Sequence, residues 1–190
     1  MPIVGQFGSL AGFGMFPGGA LESIATVTVG SGGAASIEFT SISGSYQHLQ
    51  IRLVARSTAS DTNGDLKIQV NSDTGSNYAY HRLIGSGAAA SAEGFSSSSA
   101  AEIIYRCYTA ANATASVFGA GIIDILDYAS TSKTKTLRSF GGHDRNGAGV
   151  VTVNSVLWNS TSAITALKLT PSANNFAEYT TAALYGVRAP

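Results

Sequence analysis

Along most of this chain apolar residues alternate with small polar ones. Side chains two apart then share a face, which is the mark of strands with one side buried. The clearest case is the last forty residues. Positions 150–153, 156–158 and 164–169 alternate, Pro171 to Asn175 reads as a turn, and 176–187 supplies a closing strand. Upstream, 24–29 alternates cleanly, Ser31-Gly32-Gly33 reads as a turn, and 35–42 reads as the returning strand of a hairpin. In 47–56, Leu49, Ile51, Leu53 and Ala55 fall on one face, with Gln50, Arg52 and Val54 on the other. Asn63-Gly64 is the strongest short hairpin-turn signal, with 66–70 as the returning strand. An aromatic strand follows at 78–84.

Residues 122–128 are apolar on nearly both faces, which predicts a central place in a sheet. Two stretches lack a period. Residues 85–100 are small and polar, and 141–149 are polar and Gly-rich; both read as surface loops. With about ten short strands and no convincing helix, the pattern predicts an all-β chain. The expected architecture is a jelly-roll-like antiparallel β-sandwich over residues 21–190. Residues 1–20 read differently. Six glycines there make helix or strand costly, and they are interleaved with Phe7, Leu10, Phe13, Met15 and Phe16. A disordered leader fits this composition, and the sharper expectation is an extended Gly/Phe-rich N-terminal arm. Its anchors on another subunit or surface would be Phe7, Phe13, Met15 and Phe16.

Composition narrows the partners. Of 190 residues only 12% are charged and the formal net charge is zero, against about 25% charged in a typical domain. Phosphate neutralisation needs clustered Lys and Arg, so no nucleic-acid partner is expected. No run reaches the ~18 apolar residues of a membrane-spanning helix, so no membrane partner is expected either. The first residues lack a positive region and an unbroken apolar core, which predicts synthesis in a cytoplasm. A surface this poor in charge suits life inside an assembly. The single Cys107 lies in a strand-like run and is expected as a buried thiol.

Candidate chemistry is sparse. Asp61, Asn63 and Asp65 have the opening spacing of a calcium loop, but Leu66 and Ser72 stand where it needs Gly and Glu. His48, His81 and His143 form no close metal-binding pair. The His143-Asp144-Arg145 run lies in the second predicted loop, where these residues would be exposed contacts. No Gly-x-Ser-x-Gly elbow frames a serine nucleophile. Asp124 and Asp127 point to opposite faces of a strand, which defeats joint work on one sugar; Asp124 is expected to pair with Arg106 or Arg52. Tyr78, Tyr80, Tyr105, Tyr108, Tyr128, Tyr179, Tyr185 and Trp158 fit core or subunit packing, with a glycan platform as the alternative. The residues thus predict no catalytic group, no metal and no cofactor.

Several segments resemble a domain of virion structural proteins in tailed bacteriophages. They are residues 21–33, Tyr46-Gln-His-Leu-Gln-Ile-Arg52, 70–78, Ile123-Asp-Ile-Leu-Asp-Tyr128, 158–169, Asn175-Phe-Ala-Glu-Tyr179 and Leu184-Tyr-Gly-Val187. The resemblance implies a non-enzymatic capsid decoration (cement) protein on the capsid exterior, assembled in the bacterial host cytoplasm. Its implied partners are the major capsid protein and further copies of itself, as a homotrimer. The alternative it implies is a tail- or head-fibre receptor binder recognising host surface glycan, with 85–100 and 141–149 as its tips. It also implies Trp158, Phe176, Tyr179 and Tyr185 as packing anchors.

Overall fold

The computed structural model describes residues 20–188. They form twelve strands and no helix. In chain order these are β1 (Leu21–Thr28), β2 (Ile37–Phe39), β3 (His48–Ala55), β4 (Asn63–Val70), β5 (Tyr78–Gly85), β6 (Ala90–Ser98), β7 (Ala101–Thr109), β8 (Gly119–Ile125), β9 (Lys135–Asp144), β10 (Gly149–Trp158), β11 (Leu167–Pro171) and β12 (Thr181–Val187). An eight-stranded sheet has the order β1-β12-β3-β8-β9-β10-β5-β6, and a four-stranded sheet the order β2-β11-β4-β7. Every named pairing is antiparallel. The expected antiparallel β-sandwich is what the chain forms.

The order carries a recognisable pattern. Setting aside β5, β6, β9 and β10 leaves β1-β12-β3-β8 facing β2-β11-β4-β7. Consecutive strands of this subset alternate between the two sheets except for β4 and β7, which are neighbours in the four-stranded sheet, and this is the winding of a jelly roll. The remaining four strands are two insertions that extend the first sheet and double its width. The sequence expectation of a jelly roll therefore holds for eight of the twelve strands.

The strand pairing corrects four local readings. The 24–29 and 35–42 stretches are not a hairpin: β1 pairs with β12 and β2 with β11. Asn63-Gly64 is not a hairpin turn either. It opens β4, opposite Tyr108 and Thr109 of β7, while β3 lies in the other sheet. In both places the connection carries the chain across the sandwich rather than back along a neighbour. Residues 90–98 are not loop but strand β6, held on β5 by backbone bonds despite lacking an apolar period. The predicted 141–149 loop shrinks to the 145–148 turn, because β9 and β10 run on through its glycines.

The core lies between the sheets. Leu49, Ile51, Leu53 and Ala55 of β3 face Leu66, Ile68 and Val70 of β4, as the alternation predicted. Cys107 is buried in this core, and burial pushes its thiol well up. Tyr78, Tyr108, Tyr128, Trp158 and Phe176 are core residues too. Tyr78 shows how a buried phenol is satisfied: its oxygen accepts from the Val70 N–H at 2.9 Å and donates to Asp73 O at 3.2 Å. Burial pushes its pKa up to about 12. Tyr179 departs from expectation. It is 70% exposed with φ at 68°, so it anchors no core.

Trp158 is fixed at its polar end by Asp73, whose Oδ2 accepts the indole N–H at 2.7 Å and the Asn77 amide at 2.9 Å. The Trp158 bond, then the Asn77 bond, hold the Asp73 carboxyl below its usual range. A carboxyl depressed in the fold stabilises it above the unfolded pKa of about 4, and that stabilisation is lost as pH falls through the folded value. Asp73→Asn is therefore expected to melt lower than wild type at pH 7 and nearly level with it at about pH 2. Melting both proteins at the two pH values checks this. An unchanged gap would mean that the carboxylate charge contributes nothing.

Candidate functional site

Among the described residues, the outer face of the eight-stranded sheet is where the chain departs from an ordinary soluble β-sandwich. A sheet with one solvated face should alternate apolar-in and polar-out. Here β3, β8, β9, β10 and β5 carry apolar residues outward as well. Val54, Leu83, Ile122, Phe140, Val151, Val153 and Leu157 are between 37% and 58% exposed.

Strand register turns these positions into rows. One row runs Ala183-Arg52-Ile122-Phe140-Val153-Leu83-Ala92 across seven neighbouring strands. The row beside it runs Val54-Ala120-Gly142-Val151-Gly85, with small residues that leave Phe140 standing proud. On the other flank lies a polar row, Tyr185-Gln50-Asp124-Arg138-Ser155-His81. Three depressions of about 570, 500 and 570 Å³ flank the apolar ridge.

The polar contacts of the face centre on the polar row, which Arg52 joins from the apolar row. Gln50 Nε2 donates to Asp124 Oδ1 at 2.9 Å, and Arg52 Nε donates to Gln50 Oε1 at 3.1 Å. The Arg52 guanidinium lies 5.4 Å from the centre of the Tyr185 ring, leaning out of the apolar row. The direct Asp124–Arg pair expected from sequence is thus replaced by a relay through Gln50. Arg106 belongs to the opposite sheet, where its backbone N–H donates to Asp65 Oδ1 at 2.8 Å. Arg138 stands beside Asp124 in register, yet has no hydrogen bond or ion pair among the described residues.

The sequence-predicted contacts fare unevenly. His143 is only 8% exposed, because it falls on an inward position of β9, and its Nδ1 lies 3.1 Å from Arg106 O. Burial, and then Arg145, hold its pKa down. It is no loop-tip contact. Asp144 is exposed at the end of β9 and accepts the Asn146 N–H at 2.7 Å, while the Arg145 N–H donates to Ala148 O at 2.8 Å. These two pin the 145–148 turn. That turn and residues 85–87 do come together, since both line the first 570 Å³ depression with Phe140 and Val151. Phe7, Phe13, Met15 and Phe16 lie outside the described residues.

The calcium-like spacing is spent on backbone. Asp61 Oδ1 accepts the Thr62 and Asn63 N–H groups, and Asp65 takes that of Arg106. Among the described residues no three His, Cys, Asp or Glu side chains are grouped to hold a metal ion. His48 Nδ1 accepts the Asp127 N–H at 2.9 Å, and Asp127 pairs with Lys133 at 2.7 Å, closing a turn at the sheet end.

No family model, curated protein or solved structure matches the chain. Sequence reasoning missed this face, although a signal was present. Ile122-Ile123 and Val150-Val151 are apolar on both sides of a strand, which means that both sides seek cover. The inner partner accounts for Ile123 and Val150 only.

Proposed function

We propose that this chain is a structural component of a tailed-phage particle, a decoration protein that seats on the capsid exterior and reinforces the shell. The observation that carries the reading is the apolar outer face of the eight-stranded sheet. Isolated surface apolar residues are ordinary, but a contiguous apolar face of this extent marks an interaction surface. The jelly-roll winding, common in viral capsid and lectin domains, supports it by analogy of fold. The resemblance across residues 21–187 supplies the class of particle. Its partners would be the major capsid protein and other copies of itself, and the 1–20 arm would add further anchors. Many modest contacts summed over a shell would then resist internal pressure.

Deleting residues 2–18 is expected to abolish binding to expanded capsids, read by co-sedimentation. The copy number per particle should be on the order of hundreds, as for a capsomer-associated protein. A count on the order of ten, or capsid binding indifferent to the deletion, would defeat the cement reading.

A fibre-type receptor binder is the second reading. One observation favours it: the 85–87 and 145–148 turns share a depression bearing an aromatic ring and an exposed carboxylate, Phe140 and Asp144. A glycan array probed with the isolated protein would be positive for a receptor binder and blank for a cement protein.

A further inference from the structure

We propose that the outer face of the eight-stranded sheet is the site at which a second copy of this chain packs, sheet to sheet, about a two-fold axis between β8 and β9. This names the self-partner surface of the assembly reading and rests on it.

The face has the area of a stable protein interface. Eight strands at about 4.8 Å spacing and about 24 Å length present a face on the order of 900 Å². A stable protein interface takes about 800 Å² from each partner. The face is therefore of the size that a second copy covers.

The sheet also has a natural place for the axis. The boundary between β8 and β9 divides the order β1-β12-β3-β8 from β9-β10-β5-β6, the jelly-roll half from the inserted half. A two-fold axis there, parallel to the strands, lays each half on the other half of its partner. Such an interface is isologous: the same patch serves both copies.

The strand register makes the face chemically complementary to itself about that axis. Strand β8 of one copy faces β9 of the other, so Asp124 meets Arg138 twice across the axis. Arg138 has no ion pair or hydrogen bond within its own described chain, so the contact gives it one. In the next row Ile122 meets Phe140, again twice, and in the row after that Ala120 meets Gly142. The small pair lets the sheets approach while the large pair fills the gap. Face-to-face sheets pack about 10 Å apart with interdigitated side chains, which this alternation of large and small provides. The charges are thus placed at the rim of an apolar centre, where they set register more than affinity.

The test is self-association of the isolated full-length protein by analytical ultracentrifugation. Wild type should be dimeric at about 10 µM. Phe140→Asp should weaken association by at least about 100-fold, since it buries an unpaired charge at the centre of the interface. Asp124→Arg and Arg138→Asp should each weaken it by about 10-fold or more by setting like charges face to face. Mixing those two variants should restore a dimer, because each then supplies the charge the other lacks across the axis. That rescue cannot come from repair within one chain. A wild type monomeric at about 100 µM overturns the proposal, as does a mixture that stays monomeric. A trimer indifferent to all three substitutions, closing through another surface, overturns it as well. Capsid occupancy measured separately keeps the two claims apart. Lost pairing with intact occupancy sinks only this inference, whereas a dimer that never binds capsids sinks the decoration reading.

Discussion

Replacing Gly119 with alanine is expected to lower the melting temperature by about 6 to 12 °C, a loss near 3 kcal/mol. Gly119 opens β8 in the eight-stranded sheet, at the corner where the chain has just left β7 in the other sheet. A Cβ there would lie 2.1 Å from Cys107 O and 2.4 Å from Tyr108 Cα. Both atoms are backbone, so no side chain can rotate away, and relief requires the sheets to part. Their separation at this corner is set by the packing of Tyr108 and Phe176, both fully buried. Gly85→Ala is the matching control, because its Cβ would meet nothing within 4 Å; its effect should stay within about 0.5 kcal/mol. Thermal melts followed by circular dichroism decide the matter. A Gly119→Ala melt within about 2 °C of wild type would mean that the two sheets do not approach as closely as described.

That corner also explains which parts of the fold were legible in the sequence. Alternation identifies a strand and its inner face, because period two depends only on local backbone geometry. It placed Leu49, Ile51 and Leu53 inward correctly. It placed 122–128 centrally as well, and β8 is the fourth strand of eight. Pairing depends on what a turn connects, and a turn signal such as Ser31-Gly32-Gly33 or Asn63-Gly64 looks alike whether the chain folds back or crosses the sandwich. Here β1 and β2, and again β3 and β4, fall in opposite sheets of the jelly roll, so both signals misled in the same way. Strand β6 was hidden for another reason. Edge strands need backbone bonds more than an apolar period, and Ala90, Ala92 and Gly94 simply cover the outer flank of β5.

The candidate site was less legible than the fold. Its components are ordinary strand residues separated by tens of positions, from Arg52 to Val153, and only register sets them in one row. The His143-Asp144-Arg145 run drew attention because its residue types are chemically expressive. Yet a strand that continued through Gly141 and Gly142 turned His143 inward. A face built from valine, isoleucine, leucine and phenylalanine has no motif to announce it. What does betray it is excess: more apolar strand faces than one core can cover.

Arg56→Ala should cost about 2 to 4 kcal/mol, from a residue that no sequence motif marks. Its guanidinium organises the 110–118 connection between β7 and β8. Nη1 donates to Thr114 O at 2.8 Å and Val117 O at 2.9 Å, and Nη2 to Ala113 O at 3.0 Å and Ala111 O at 3.3 Å. The Arg56 main chain is bound as well: its carbonyl accepts the Ala177 N–H at 2.8 Å and the Thr180 hydroxyl at 3.1 Å. One side chain therefore closes a loop that has no sheet partner of its own, and its planar fork reaches four carbonyls from a single position. Alanine would leave the half-buried Val117 carbonyl with only the Thr109 hydroxyl. The solvent-exposed Thr114 and Ala111 carbonyls would recover water, which keeps the cost below the sum of the bonds. Arg56→Lys should fall between, because an ammonium keeps the charge but cannot span the fork. Denaturant titration of the three proteins should give that order, and amide exchange over 110–118 should accelerate most in the alanine variant. If lysine matches wild type, charge alone holds the loop. If alanine costs under about 1 kcal/mol, the connection is held by its own turns and the guanidinium is incidental.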